Sequence, residues 1–177
     1  MNVVFYDIDG VLSISRRLGL DRVAVGYLER LKEVDDNTHL VSCSTWRIRY
    51  SKDELLAKFR AVGFTKDFPE DWRTPSILYG VRGDEIDAYR ANHPEIEKYI
   101  ILDDENEYHA HHPLIKPKGG LLSEEDWLLA NQLLYGDENV WFKFKKDQNS
   151  KKSPVVTTLA DSIGARSIAP PLNSLQG

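Results

Sequence analysis

The stretch VVFYDIDGVLS, residues 3–13, limits what this chain can fold into. Val3, Val4, Phe5 and Tyr6 form a near-continuous apolar run, the pattern of a short strand covered on both faces of a parallel sheet. The run ends in Asp7 and Asp9, one residue apart, and then Gly10. A covered strand that delivers two carboxylates to its own end needs a polar edge there, and something at that edge to offset the charge.

The same plan recurs downstream. Leu40-Val41-Ser42-Cys43-Ser44 reads as a second strand ending at Thr45, and Tyr99-Ile100-Ile101-Leu102 as a third ending at Asp103-Asp104. Helical stretches separate them. Residues 21–34 place Val23, Tyr27, Leu31 and Val34 at helical spacing. Residues 52–62 form a second expected helix with Gly63 as its C-cap, and 83–91 a third closed by His93-Pro94. Residues 123–135 open with a capping signature and continue as an amphipathic helix. Strands alternating with helices imply an α/β fold with a central parallel sheet.

Composition allows one packed domain. The chain has 177 residues, 41% hydrophobic and 29% charged. A net charge of −5 supplies no global field toward nucleic acid or membrane. The lone cysteine, Cys43, fits a reducing compartment, and no leader or membrane-spanning run is visible, so a cytoplasmic location is expected. After Gly136 the character changes. Residues 141–152 hold five lysines against one aspartate, 153–159 have the pattern of a strand, and 169–177 look extended. The expected organisation is a core over 1–136 and a Lys-rich C-terminal extension over 137–177.

In an open parallel sheet the strand C-termini share one edge, where ligands bind. That edge would gather Asp7 and Asp9, the hydroxyls of Ser44 and Thr45 with Arg47, and Asp103 with Asp104. Clustered carboxylates repel unless a cation intervenes, and hard oxygen ligands select Mg²⁺. Such a metal beside an arginine suits a phosphate group. One carboxylate of the Asp-x-Asp pair would attack phosphorus while the other moves a proton at the bridging oxygen. Taken singly, the pieces have blander readings. Asp-x-Asp-Gly is often a turn, Asp103-Asp104 a solvated corner, and Ser-Thr-Trp-Arg a helix start.

Taken in order, FYDIDGVLS, VSCSTWR and YIILDDE resemble motifs I, II and IV of the haloacid dehalogenase-like (HAD) phosphohydrolase superfamily. The resemblance spans roughly residues 1–135 and looks closest to small HAD domains of RNA-repair proteins. It is also similar to the 3′-phosphatase domain of phage polynucleotide kinases. It implies a Rossmann-like fold and a Mg²⁺-dependent phosphatase with Asp7 as the nucleophile. Asp9 would be the general acid and base, its backbone carbonyl on the metal, and Asp104 a metal ligand with Asp103 in the first or second shell. Thr45, or Ser44 if the strand ends earlier, would bind the phosphoryl oxygens, and Arg47 would clamp the phosphate. Arg82, in VRGDEIDAYR, would stand where the family has a motif III lysine, with Lys116 and Lys118 as runners-up. Gly10 and Arg17, with Arg16 beside it, would reach the substrate.

Thirty-five residues separate Asp9 from Thr45 and thirty-six separate Thr45 from Arg82, too few for a substantial cap domain. In this superfamily an uncapped site goes with a large substrate. The expected substrate is therefore a phosphorylated nucleic-acid 3′ end, which the lysine run would help hold. The alternatives are a nucleotidase acting on free mononucleotides and a non-catalytic binding protein of the same fold. No P-loop is present, so an end-repair activity would be the phosphatase half alone. His109, His111 and His112 leave a metal site as an alternative, but no Cys or carboxylate spacing here matches a zinc pattern, and they read as a solvated loop. Trp46 is the tryptophan whose neighbours place it at the site's edge.

Overall fold

The structure is a computed structural model that describes residues 1–15 and 18–136. Arg16, Arg17, Trp141, the lysine run and the expected strand at 153–159 lie outside the described residues. Among the described residues four strands form one parallel sheet: β1 (Asn2–Tyr6), β2 (Thr38–Ser42), β3 (Lys98–Leu102) and β4 (Leu114–Ile115), in the order β2-β1-β3-β4. Five helices accompany it among the described residues: α1 (Arg22–Val34), α2 (Trp46–Arg49), α3 (Lys52–Ala61), α4 (Arg82–Ala91) and α5 (Glu124–Tyr135). Neither the two-residue β4 nor the one-turn α2 has a periodic signal long enough to read from sequence.

The apolar run of β1 is covered on both faces, as its pattern requires. Val4 and Tyr6 face a core shared with α1, α3 and α5, including Leu28, Phe59 and Leu133. Val3 and Phe5 face the opposite core, with Ile86 and Tyr89 of α4. Phe5 meets the rings of Tyr89 and Tyr99 edge-on at 5.4 and 5.9 Å. Each such buried side chain contributes roughly 1.5–3 kcal/mol of transfer free energy.

Local signals set the helix ends. The Asp21 carboxylate accepts from Val23 and Ala24 N–H, and Ser51 and Glu54 form a reciprocal capping box at α3. On α1 the buried stripe is Ala24, Val25, Leu28 and Leu31, whereas Val23 and Val34, expected inward, are 64% and 52% exposed. Both stripes have helical spacing, and packing on α5 selects the one that fills space. Strand order reverses at β1: the chain steps to β2 on one side, then crosses to β3 on the other. The crevice beyond the C-terminal ends of β1 and β3 is the switch point of the sheet. Among the described residues no cap element covers it, and no helix is long and apolar enough to cross a membrane.

Candidate active site

Register places the strand-end residues together. Tyr6 pairs with Ser42 on one side and Leu102 on the other, so all three strands stop at one level. Asp7 N–H continues the ladder by donating to the Leu102 carbonyl at 2.9 Å. Asp7, Asp103 and Asp104 then each offer a carboxylate oxygen within 4.8 Å of the others. Asp7 is 3% exposed and Asp103 fully buried, while Asp104 opens to solvent.

Gly10 makes that convergence possible. Its φ of +79° is left-handed, and its N–H donates to the Ser13 carbonyl at 2.7 Å, closing the turn after Asp9. A Cβ on Gly10 would lie 2.2 Å from Cγ of Asp104. The glycine that follows the Asp-x-Asp pair thus vacates the volume that the carboxylate from β3 occupies.

The cation beside these carboxylates is Arg82, the first residue of α4. Its Nη1 lies 2.9 Å from Asp7 Oδ2 and also bonds Asp103 Oδ2, with Glu107 at 3.8 Å from Nε. Burial works against this charge, but Asp7 and Asp103 outweigh it and hold the guanidinium above its usual range. A cation in the first turn opposes the helix dipole, and Asp84 and Glu85 in the same turn offset it. Lys116 instead donates to Asn106 Oδ1 at 3.0 Å on the exposed surface, and Lys118 is exposed as well.

Asp103 accepts from Glu105 N–H at 2.8 Å and from the Tyr108 hydroxyl at 2.5 Å, so it is anchored as well as buried. Burial first, then the Asp7 charge, raises its pKa, with Arg82 and Tyr108 pulling the other way. Asp104 is raised too, first by its partial burial and then by Asp7 and Glu105, against its own backbone N–H. One arginine thus faces three converging carboxylates. Asp7 Oδ1 is buried with no hydrogen-bond partner. A carboxylate oxygen left bare in that place fits an incoming divalent cation or an electrophile.

Two expectations change. Arg47 does not point into this site. Its guanidinium has five N–H donors, and they go to the carbonyls of Cys43 (2.6 Å), Ser44 (2.8 Å), Thr74 (3.2 Å) and Pro75 (3.3 Å) and to Glu85 Oε2 (2.5 Å). At 3% exposure it ties α2 to α4 and to the loop before α4, with no donor left for a phosphate. Its place after Ser-Thr matches a phosphate-binding arginine, but the turn folds it back beneath itself. The histidines, read as a solvated loop, are not uniformly solvated: the His112 side chain is fully buried.

The motif II hydroxyls part company. β2 stops at Ser42, and Ser44 is fully buried, its Oγ accepting from Trp46 N–H at 3.3 Å. Thr45 is exposed and lines a cavity of about 360 Å³ with Trp46, Ile48 and Arg49. Trp46 lies at the edge as expected, but its role is new: Nε1 donates to Asp9 Oδ2 at 2.9 Å. Tyr108 under Asp103 escaped the sequence reading altogether, since nothing local marks a loop tyrosine as a carboxylate anchor.

Residues 3–125 match a family model described as the HAD domain in Swiss Army Knife RNA repair proteins. No match was found among curated proteins or among solved structures.

Proposed function

The chain belongs to the family of HAD domains in Swiss Army Knife RNA repair proteins, and on that premise we propose that it is a Mg²⁺-dependent phosphomonoesterase that works through Asp7 on the 3′-phosphate of a nucleic-acid end. The observation that carries the reading is the bare, buried Oδ1 of Asp7, beside Arg82 and within reach of Asp103 and Asp104.

Asp7, Asp104 and the Asp9 backbone carbonyl would hold the cation, with Asp103 behind them. When bound it neutralises the carboxylates and the phosphoryl oxygens. The protein's own groups do the rest. Arg82 fixes Asp7 by one oxygen, which leaves the other free to attack phosphorus. The P–O bond to the leaving group breaks as the Asp7–phosphorus bond forms, and Asp9 gives its proton to the departing oxygen. Asp9, now ionised, takes a proton from water as that water displaces phosphate from Asp7. Trp46 orients Asp9 through both steps. Thr45, the exposed hydroxyl of its pair, is the one a phosphoryl oxygen reaches.

The RNA-repair description of the family, and a strand-end edge that no cap element covers among the described residues, support a polynucleotide end over a small substrate. The test is a Mg²⁺ phosphatase panel comparing 3′-phosphorylated oligonucleotides, mononucleotides and an aryl phosphate. The highest kcat/KM is expected on the oligonucleotide. A higher value on a mononucleotide replaces this reading with a nucleotidase, and no turnover of any substrate replaces it with a binding protein.

A further inference from the structure

The loop between β3 and β4 carries three histidines against the outer face of α4, away from every role assigned above. Asp87 of α4, His109 and His112 each offer a ligand atom within 4.8 Å of the others. The His111 ring stands 4.2 Å from that of His112, and its Nε2 lies 3.4 Å from Asp87 Oδ1. The His112 side chain is fully buried, yet its Nε2 has no hydrogen-bond partner and stands 3.7 Å from Asp87 Oδ2. From this geometry we infer a second metal site, for a transition ion of the Zn²⁺ class, held by Asp87, His109 and His112 with His111 at its rim.

A buried imidazole nitrogen without a partner is costly, and a cation beside a carboxylate removes that cost. The donor set decides the ion: imidazoles with one carboxylate favour Zn²⁺, Co²⁺ or Ni²⁺ over Mg²⁺. The outer contacts are those of ligating histidines, whose second ring nitrogen is held by another group. The Tyr99 hydroxyl lies 3.1 Å from His112 Nδ1 and accepts from Arg90 Nη1 at 3.3 Å. His109 Nε2 lies 2.8 Å from Asp84 Oδ1. Space for His109 is provided too: a Cβ on Gly83 would stand 2.9 Å from its Cδ2. Gly83 follows Arg82, so an ion here would clamp the arginine's helix to the loop that begins at Asp103.

The test uses the full chain carrying Asp7→Asn and Asp104→Asn, which removes the carboxylate site and makes the result independent of phosphatase activity. After chelation, Zn²⁺ is titrated by calorimetry and Co²⁺ by visible absorption. One Zn²⁺ per chain is expected, uncontested by millimolar Mg²⁺, with Co²⁺ bands of an imidazole-ligated ion. His109→Ala with Asp87→Asn, both on accessible residues, should abolish the bands and the tight site. Tyr99→Phe should weaken Zn²⁺ roughly 10–100-fold, as loss of an outer-shell partner does. Unchanged affinity and spectrum in the His109→Ala, Asp87→Asn protein would overturn the assignment, as would the absence of any Zn²⁺ binding before those changes.

Discussion

The indole of Trp46 donates from Nε1 to Asp9 Oδ2 at 2.9 Å, a bond that joins the first turn after β2 to the second aspartate after β1. Trp46 is 7% exposed and packs on Tyr50 at 5.5 Å, so the donor is fixed by the core beneath it. Trp46→Phe keeps the packing and deletes the N–H. The mechanism needs Asp9 protonated as the leaving group departs, so this bond joins neutral groups and is worth about 0.5–1.5 kcal/mol; kcat should fall about two- to tenfold with KM little changed. A rise in KM alone, at constant kcat, would show that the indole serves binding instead.

Asp7→Asn should bring turnover to background while the fold survives. An amide keeps the shape of the carboxylate, but it is a poor nucleophile. Acid-quenched protein should carry labelled phosphate on Asp7 in the parent and none in the variant. Turnover in a well-folded Asp7→Asn protein, free of host phosphatases, would exclude Asp7 as the nucleophile.

Arg47 and Arg82 should fail differently. Arg47→Ala leaves Glu85 buried without its partner, which costs about 3–5 kcal/mol of stability. Denaturant melts should register that loss, while KM for an aryl phosphate in the remaining folded protein stays near the parent value. Arg82→Ala should depress kcat/KM sharply for every substrate. An Arg47→Ala protein of parental stability with a raised KM would return Arg47 to the phosphate.

Metal dependence and pH should be linked. The pKa values of Asp103 and Asp104 are raised, chiefly by burial. A carboxyl raised on folding binds more protons folded than unfolded, so its contribution is present below the unfolded value and lost as pH rises through the folded one. In metal-free protein these two groups therefore favour mildly acid solution over neutral. In the proposed Mg²⁺ site Asp104 binds the cation as a carboxylate, so the gain in Tm on adding Mg²⁺ should be greatest near neutrality and fade as pH falls toward the ordinary aspartate value of 3.8. Melting curves with and without Mg²⁺ across that range check this. A gain that does not vary with pH would place the ion elsewhere.

Tyr79 stands 97% exposed with φ of +63°, three residues before Arg82, and Leu78 beside it is 80% exposed. A bulky residue held in the left-handed region and bared to solvent, on the segment that leads into a candidate catalytic residue, suits stacking on a base. Stacking is worth about 1–3 kcal/mol per base, so Tyr79→Ala should raise KM for a 3′-phosphorylated oligonucleotide about tenfold and leave an aryl phosphate unaffected. Equal effects on both substrates would mean that the loop shapes the site rather than reading a polymer.

The order of strands and helices was legible in the sequence because it depends on local pattern. Apolar runs of four residues such as Val3–Tyr6 and Tyr99–Leu102, capping residues such as Ser51 with Glu54, and the polar stop at each strand end carry that information within a few positions. The meeting of Asp7 with Asp103 and Asp104 followed, since parallel strands must align their ends, and Arg82 was named because it stands where the family resemblance expects a motif III lysine. Tertiary structure alone decided what each polar group does there. Arg47 is consumed by carbonyls and by Glu85, thirty-eight positions away. Trp46 reaches Asp9 across thirty-seven. Gly10 yields its volume to Asp104, and His112 is drawn under α4. On α1, Val23 and Val34 lose the core to Ala24 and Leu28 by the accident of which face α5 covers. Periodicity says that a face will be buried. Which donor meets which acceptor is a matter of distance in three dimensions, on which sequence spacing is silent.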